Sequence, residues 1–184
     1  SCNIVMNNVD ILDNYSDNQA GGLIVFYGTV DMDDVLFQGN EADESYGGFR
    51  LESVATLTMD NVDILENCIS SCNNVGGGSL STIADGTLNN INVIGNQASG
   101  GIVGGLSIYG STLDFNNIVV QNNYSGSTTT GMSIDNINSY ITFDHLLFTG
   151  NDVIGNNTYD GQCALAIGNS ATVTIRNSTL VDND

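Results

Sequence analysis

Apolar residues along this chain recur in pairs separated by a single residue, and the pairs themselves come in twos. Within a block of twelve, apolar side chains stand at the second, fourth, seventh and ninth places, as Leu57, Met59, Val62 and Ile64 do, and again Leu113, Phe115, Ile118 and Val120. Alternation with a period of two marks a strand buried on one face. Each block therefore predicts two short strands with one turn residue between them. The block begins at Asn3, Thr29, Thr56, Asp85, Thr112, Tyr140 and Thr172, at spacings of 26, 27, 29, 27, 28 and 32 residues. Its own length never varies, so the drift lies in the loops between copies.

Two places in the block carry a recurring polar residue. The turn place holds Asn8, Asp34, Asn61, Asn90, Asn117, His145 and Asn177. Asparagine and aspartate tolerate left-handed backbone and bond to nearby peptide groups, which suits a sharp corner. The last place is asparagine in all seven copies: Asn14, Asn40, Asn67, Asn96, Asn123, Asn151 and Asn183. Stacked copies would align these side chains into a ladder. A third strand is expected after a variable loop, heralded by paired glycines as in Gly21-Gly22-Leu23, Gly47-Gly48-Phe49 and Gly104-Gly105-Leu106. Copies three, five and six carry weaker versions, Gly76-Gly77-Gly78, Thr130-Gly131-Met132 and Gln162-Cys163-Ala164.

Three strands per repeat cannot bury their inward side chains alone, but repeats stacked about 4.8 Å apart share one interior. The expectation is an all-β protein, a right-handed parallel β-helix of about seven coils of 26–32 residues forming one segment over residues 1–184. No stretch has helical apolar spacing, and neither end shows a cap. The chain starts at the first strand of one coil and stops after the second strand of another. Open sheet edges are therefore expected, to be met by flanking coils of a longer chain or by identical subunits end to end.

The endings Phe37-Gln38-Gly39-Asn40 and Phe148-Thr149-Gly150-Asn151 resemble the Phe-x-x-Asn repeat of polymorphic outer membrane proteins, and Gly21-Gly22-Leu23-Ile24 resembles their Gly-Gly-Ala-Ile motif. The same features are shared by pectate-lyase-like β-helix proteins. The resemblance runs through all seven coils. It implies a cell-surface or secreted stalk or adhesin, with host surfaces or surface glycans as partners.

Composition narrows the function. The chain has 21 acidic residues against Arg50 and Arg176, for a formal net charge of -19. Nucleic-acid binding depends on basic side chains displacing counterions, so a nucleic-acid partner is not expected; the same charge opposes an anionic membrane. No apolar run approaches the roughly 18 residues that cross a bilayer, so no membrane insertion is expected.

The main rival to a structural role is a carbohydrate-active β-helix enzyme. A lyase of this fold resembles its relatives in needing a basic cluster, and the two arginines stand several coils apart. A hydrolase needs two carboxylates roughly 5 to 10 Å apart, and Asp31, Asp33 and Asp34 are the nearest group. Asp31 and Asp33 fall at outward strand places and Asp34 at the corner, so a solvated face is the reading. His145, the only histidine, substitutes for asparagine in the corner column. No catalytic residue, resident metal or cofactor is therefore assigned. Weak surface calcium binding is left to the acidic loops Asp13 to Asp17, Glu41 to Glu44 and Asp152 to Asp160. Interrupted threonine rows, with Val5 and Asp31 among them, argue against an ice-binding face.

Four cysteines allow three pairings. Cys2 and Cys163 lie too many coils apart to meet within one rod, since a disulfide needs Cα atoms within about 7 Å. Cys68 and Cys72 share a loop and are expected to bridge if the protein is secreted. Cys163 reads as core filler, and Cys2 is open. Sequons begin at Asn14, Asn123, Asn156 and Asn177; three are repeat positions, which leaves Asn156 as the credible acceptor. The sum is a non-enzymatic, extracellular or cell-surface structural and adhesive segment, able to assemble end to end into fibres.

Overall fold

The structure, a computed structural model, describes residues 2–68, 72–153 and 163–183. Among them every ordered element is a strand, and the blocks lie directly above one another. Asn3 pairs with Thr29 and Thr29 with Thr56. Leu57 then pairs with Gly86 and Gly86 with Leu113, while Thr112 pairs with Tyr140 and Tyr140 with Thr172. All these pairings are parallel, with block place matched to block place. The fold is a parallel β-solenoid whose levels are the sequence blocks.

Inward places form columns of similar side chains. Met6, Met32, Met59, Leu88, Phe115 and Phe143 occupy one; Ile11, Phe37, Ile64, Val93, Val120 and Phe148 occupy another. Burying such a side chain contributes about 2 kcal/mol, whereas ordering each backbone residue costs about 1 to 2 kcal/mol. A lone coil of some 27 residues, with only a handful of inward side chains, cannot hold itself. Each level is stable because the next one covers it.

The expected number of coils is corrected. Seven blocks stack, but the second to the sixth, five levels, are covered on both sides. Ile4, Met6, Val9 and Ile11 of the first level are only partly buried, and Ile175 and Leu180 of the last are exposed. The enclosed part of the rod is therefore about five turns.

Among the described residues, three corner columns of the coil hold left-handed backbone. The first corner is the expected column, with φ of 55° at Asn8, 52° at Asp34, 51° at Asn61, 53° at Asn90, 64° at Asn117, 60° at His145 and 48° at Asn177. A second column, directly before the ladder asparagine, comprises Asp13, Gly39, Glu66, Gly95, Asn122, Gly150 and Asp182. A third, where the third strand gives way to the next block, comprises Tyr27, Ser53, Thr82, Gly110, Asn136 and Asn169. Positive φ costs a non-glycine residue roughly 1 to 2 kcal/mol, least for Asn and Asp, which accounts for the composition of the first column.

The ladder turns the second corner into a bonded column. Asn96 N and Nδ2 both donate to Asn123 Oδ1 at 3.0 Å, and its Nδ2 also donates to the Ile64 carbonyl at 2.8 Å. The same pattern links Asn14 to Asn40, Asn40 to Asn67, Asn67 to Asn96, Asn123 to Asn151 and Asn151 to Asn183. Asn40, Asn67, Asn96, Asn123 and Asn151 are fully buried. A buried amide without partners would cost about 1 to 3 kcal/mol for each lost bond; here each one closes backbone groups of its neighbours.

The loop after the ladder is more regular than its sequence suggests. Two-residue strands Glu41–Ala42, Gln97–Ala98, Tyr124–Ser125 and Asp152–Val153 follow the asparagine. Bridges then run through Ala20, Tyr46, Val75, Val103 and Thr129. The paired glycines that follow are sterically required. A Cβ on Gly77 would stand 2.5 Å from the Gly105 carbonyl oxygen, and one on Gly131 would stand 2.7 Å from that of Ala164. Copy three proves to be a full pair, Gly76-Gly77, followed by a further glycine. Gly78 faces Phe49 of the level before, whose ring a Cβ would strike at 2.6 Å.

Replacing Asn96 by alanine is expected to cost on the order of 3 kcal/mol, since it orphans the Asn67 amide and the Ile64 carbonyl. Asn14→Ala, at an exposed level, should cost no more than about 1 kcal/mol by the same rule; equilibrium urea unfolding of the two variants checks the order. Gly77→Ala should lose about 3 kcal/mol or more through backbone collision, whereas Gly95→Asn, at φ 68°, should leave the melting temperature nearly unchanged.

Candidate functional site

The outward chemistry of the rod is concentrated at the first corner, where the bend between the half-strands leaves a shallow groove. Over the first four levels it has a volume of about 440 Å³ and is lined by Asp10, Asp34, Asn61, Asp63, Asn90 and Asn92. Over the fifth to seventh levels it continues as a space of about 340 Å³ with Asn117, Val119, His145, Leu147, Asn177 and Thr179. The groove is acidic and amide-lined at one end and partly apolar at the other.

Amides of successive levels bind much of its polar surface. Asn90 Nδ2 donates to Asn61 Oδ1 and Asn117 Nδ2 to Asn90 Oδ1, each at 3.1 Å. Asn92 Nδ2 donates to Asp63 Oδ1 at 2.7 Å, and Asn61 Nδ2 reaches Asp33 Oδ1 at 3.4 Å. Asp31 and Asp34 are exposed and Asp33 is half-buried, in register with Asp60 of the next level. Asp33 and Asp60 are thus stacked, whereas Asp31 lies opposite Thr58 and Asp34 holds the corner place that Asn61 fills on the next level. His145 interrupts the corner ladder: Asn177 Nδ2 donates to Asp144 Oδ1 at 2.7 Å, and His145 Nδ1 lies 3.3 Å from the same oxygen.

The two arginines are on the second and seventh levels. Arg50 is held in a clasp: its guanidinium lies 5.2 Å from the Phe26 ring centre and 5.4 Å from that of Tyr46, and it pairs with Glu52. The clasp was hidden in the sequence because Phe26 lies one coil before Arg50, and Tyr46 occupies a place filled by Ala20, Val75 and Val103 in other coils.

Among the acidic loops, Tyr15 Oη donates to Asp43 at 2.7 Å, and the carboxylates of Asp43 and Asp17 hold the phenol well above its ordinary range. Among the described residues no group of three or more His, Cys, Asp or Glu is placed to hold a metal ion. Most of the Asp152–Asp160 loop lies outside the described residues, as does the sequon at Asn156. Of the other sequons, Asn123 is fully buried in the ladder.

Cys68 and Cys72 are joined by a disulfide, with Cα atoms 5.5 Å apart, and both are fully buried beside Ala42. Cys163 is half-buried, not the core filler expected, because its strand, Cys163–Ile167, is the last in its column and is covered on one side only. Burial pushes its thiol up, opposed by a hydrogen bond with Thr129. Cys2 is exposed, with Sγ 2.8 Å from the Tyr27 carbonyl oxygen. No helix among the described residues is long and apolar enough to cross a membrane.

Comparison of the chain with protein-family models, with curated proteins and with solved structures finds no match in any of the three. The functional reading therefore rests on geometry and on the chemistry of the faces.

Alkylation at neutral pH should modify Cys2 first and Cys163 much more slowly, with Cys68 and Cys72 reacting only after reduction; mass spectrometry of timed samples checks the order. Removing the bridge by Cys68→Ser with Cys72→Ser should lower stability by about 2 kcal/mol, the value expected for so short a loop, read as a fall in melting temperature.

Proposed function

We propose that this chain is a segment of a non-enzymatic, extracellular or cell-surface β-solenoid that serves as a stiff structural and adhesive rod. The observation that carries the proposal is where the recurring polar residues go. The ladder asparagines occur on every level, yet their amides point inward and are spent on joining one level to the next. Outward residues change from level to level, as Asp31, Thr58, Thr87 and Asp114 do at one block place. What is repeated supports the rod, and what is variable clothes it.

The ladder also has a direction. N and Nδ2 of each asparagine donate to Oδ1 of the following level. A further level therefore joins only in the same polarity, whether it comes from a flanking coil or from another copy of the chain. Such a head-to-tail contact is open-ended and builds fibres. A buried disulfide and a strongly acidic surface both suit an extracellular setting. The resemblance to surface stalk and adhesin repeats points the same way, with surface glycans or host surfaces as partners and no resident cofactor.

The second reading is a carbohydrate-active enzyme working in the first-corner groove, favoured by Asp10, Asp34 and Asp63 around one concave space. Electron microscopy of purified chain is expected to show straight rods whose lengths are multiples of one unit, with no release of reducing sugar from neutral or uronate polysaccharides, calcium included. Saturable cleavage abolished by Asp10→Asn, Asp34→Asn or Asp63→Asn would overturn the proposal in favour of the enzyme.

A further inference from the structure

Several of the exposed large apolar side chains lie at the third corner of the coil: Phe26 and Tyr27 on the first level, then Tyr109, Ile137 and Tyr140, while others, Ile102 and Leu147 among them, lie elsewhere. The first two are the most structured. Tyr27 is 65% exposed with φ 63°, at the place that Ser53, Thr82, Gly110, Asn136 and Asn169 fill on other levels. A bulky residue in left-handed backbone is strained by on the order of 1 kcal/mol. A ring left in water returns little burial to offset it. Contacts among the described residues thus do not offset the strain at Tyr27.

Beside it lies Phe26, 43% exposed, with the Arg50 guanidinium over its ring and Tyr46 against the same guanidinium. Among the described residues Glu52 is the one hydrogen-bond partner of the Arg50 side chain, and Arg50 Nε is buried without any. The guanidinium is therefore oriented in advance while donors remain uncommitted, and Glu52 supplies an acceptor next to them. An exposed ring against a fixed donor–acceptor pair, with a second exposed ring next to it in the chain, matches a ligand with apolar faces and hydroxyl edges.

We infer that Phe26, Tyr27, Arg50 and Glu52 form a binding subsite for an uncharged glycan, whose C–H face lies on the two rings and whose neighbouring hydroxyls bond the guanidinium and the carboxylate. Charge selects the class. The Arg50–Glu52 pair is locally neutral in a chain of net charge -19, so an anionic polymer is repelled at long range, and a cation is drawn to the carboxylates of the first corner instead. The subsite rests on the adhesive side of the proposed function and gives it a ligand class.

The test is titration of the chain with oligomers of glucose, mannose and N-acetylglucosamine, and separately with polygalacturonate, followed by the NMR signals of the Phe26 and Tyr27 rings and of Arg50 Nε–H. At least one neutral series should shift these signals saturably. Phe26→Ala should weaken binding about tenfold, the usual effect of removing one stacking ring. Tyr27→Gly should weaken it comparably while keeping or raising the melting temperature, because glycine suits that backbone. Three results overturn the inference: no saturable shift with any neutral oligomer, binding of polygalacturonate alone, or affinity indifferent to both substitutions. Rods that bind no glycan would remove this subsite and leave the structural reading standing; glycan cleavage would remove that reading, whatever these rings show.

Discussion

Everything in this molecule depends on each level being finished by its neighbour. Main-chain groups of one block bond to the next, inward side chains pack against those above and below, and the buried asparagines close the backbone groups that a sharp corner would leave unpaired. Most of these contacts run between coils and are lost to a coil on its own. The ladder matters most because it couples two demands: it satisfies the turn, and it does so only when the levels are in register. A displaced coil loses the hydrogen bonds together with the packing.

The corners explain why such a regular rod tolerates irregular loops. Left-handed residues at three columns set the direction of the chain at those corners, so the geometry there is decided locally. The loop after the ladder then needs only to deliver the glycine pair to its place. Close stacking at Gly77 and Gly131 shows how little room that place has, and why the strand that follows starts with its backbone nearly touching the next level.

Much of this was legible beforehand. The spacing of Leu57, Met59, Val62 and Ile64 identified both half-strands, and the pairing of Thr29 with Thr56 and of Thr112 with Tyr140 is the register that the block starts implied. Asparagine at the first corner announced left-handed backbone. The second corner was half visible, through Gly39-Asn40, Gly95-Asn96 and Gly150-Asn151, but Glu66 and Asp182 at the same place concealed it. The third was invisible, because Tyr27, Ser53, Thr82 and Gly110 share no chemistry, only a φ angle. The Arg50 clasp was hidden for a different reason: its members come from two coils and from a place whose other occupants are small. Cys163 was misjudged because burial in a stack depends on how many levels cover a residue as well as on which way it points.

The pairing of Phe49 with Gly78 carries one more meaning. The Phe49 ring packs 5.1 Å from the Phe37 ring centre and fills the space that glycine leaves on the following level. Repeats this alike could mispair by a whole period, and a sheet made of interchangeable rungs would have no means of detecting the fault. Sliding the chain by one period would set Phe49 against Leu106, where there is no hollow to receive it. The protein thereby carries a mark of sequence order inside its core, a steric key that makes nearly identical rungs non-exchangeable and gives a repetitive polymer a single correct alignment.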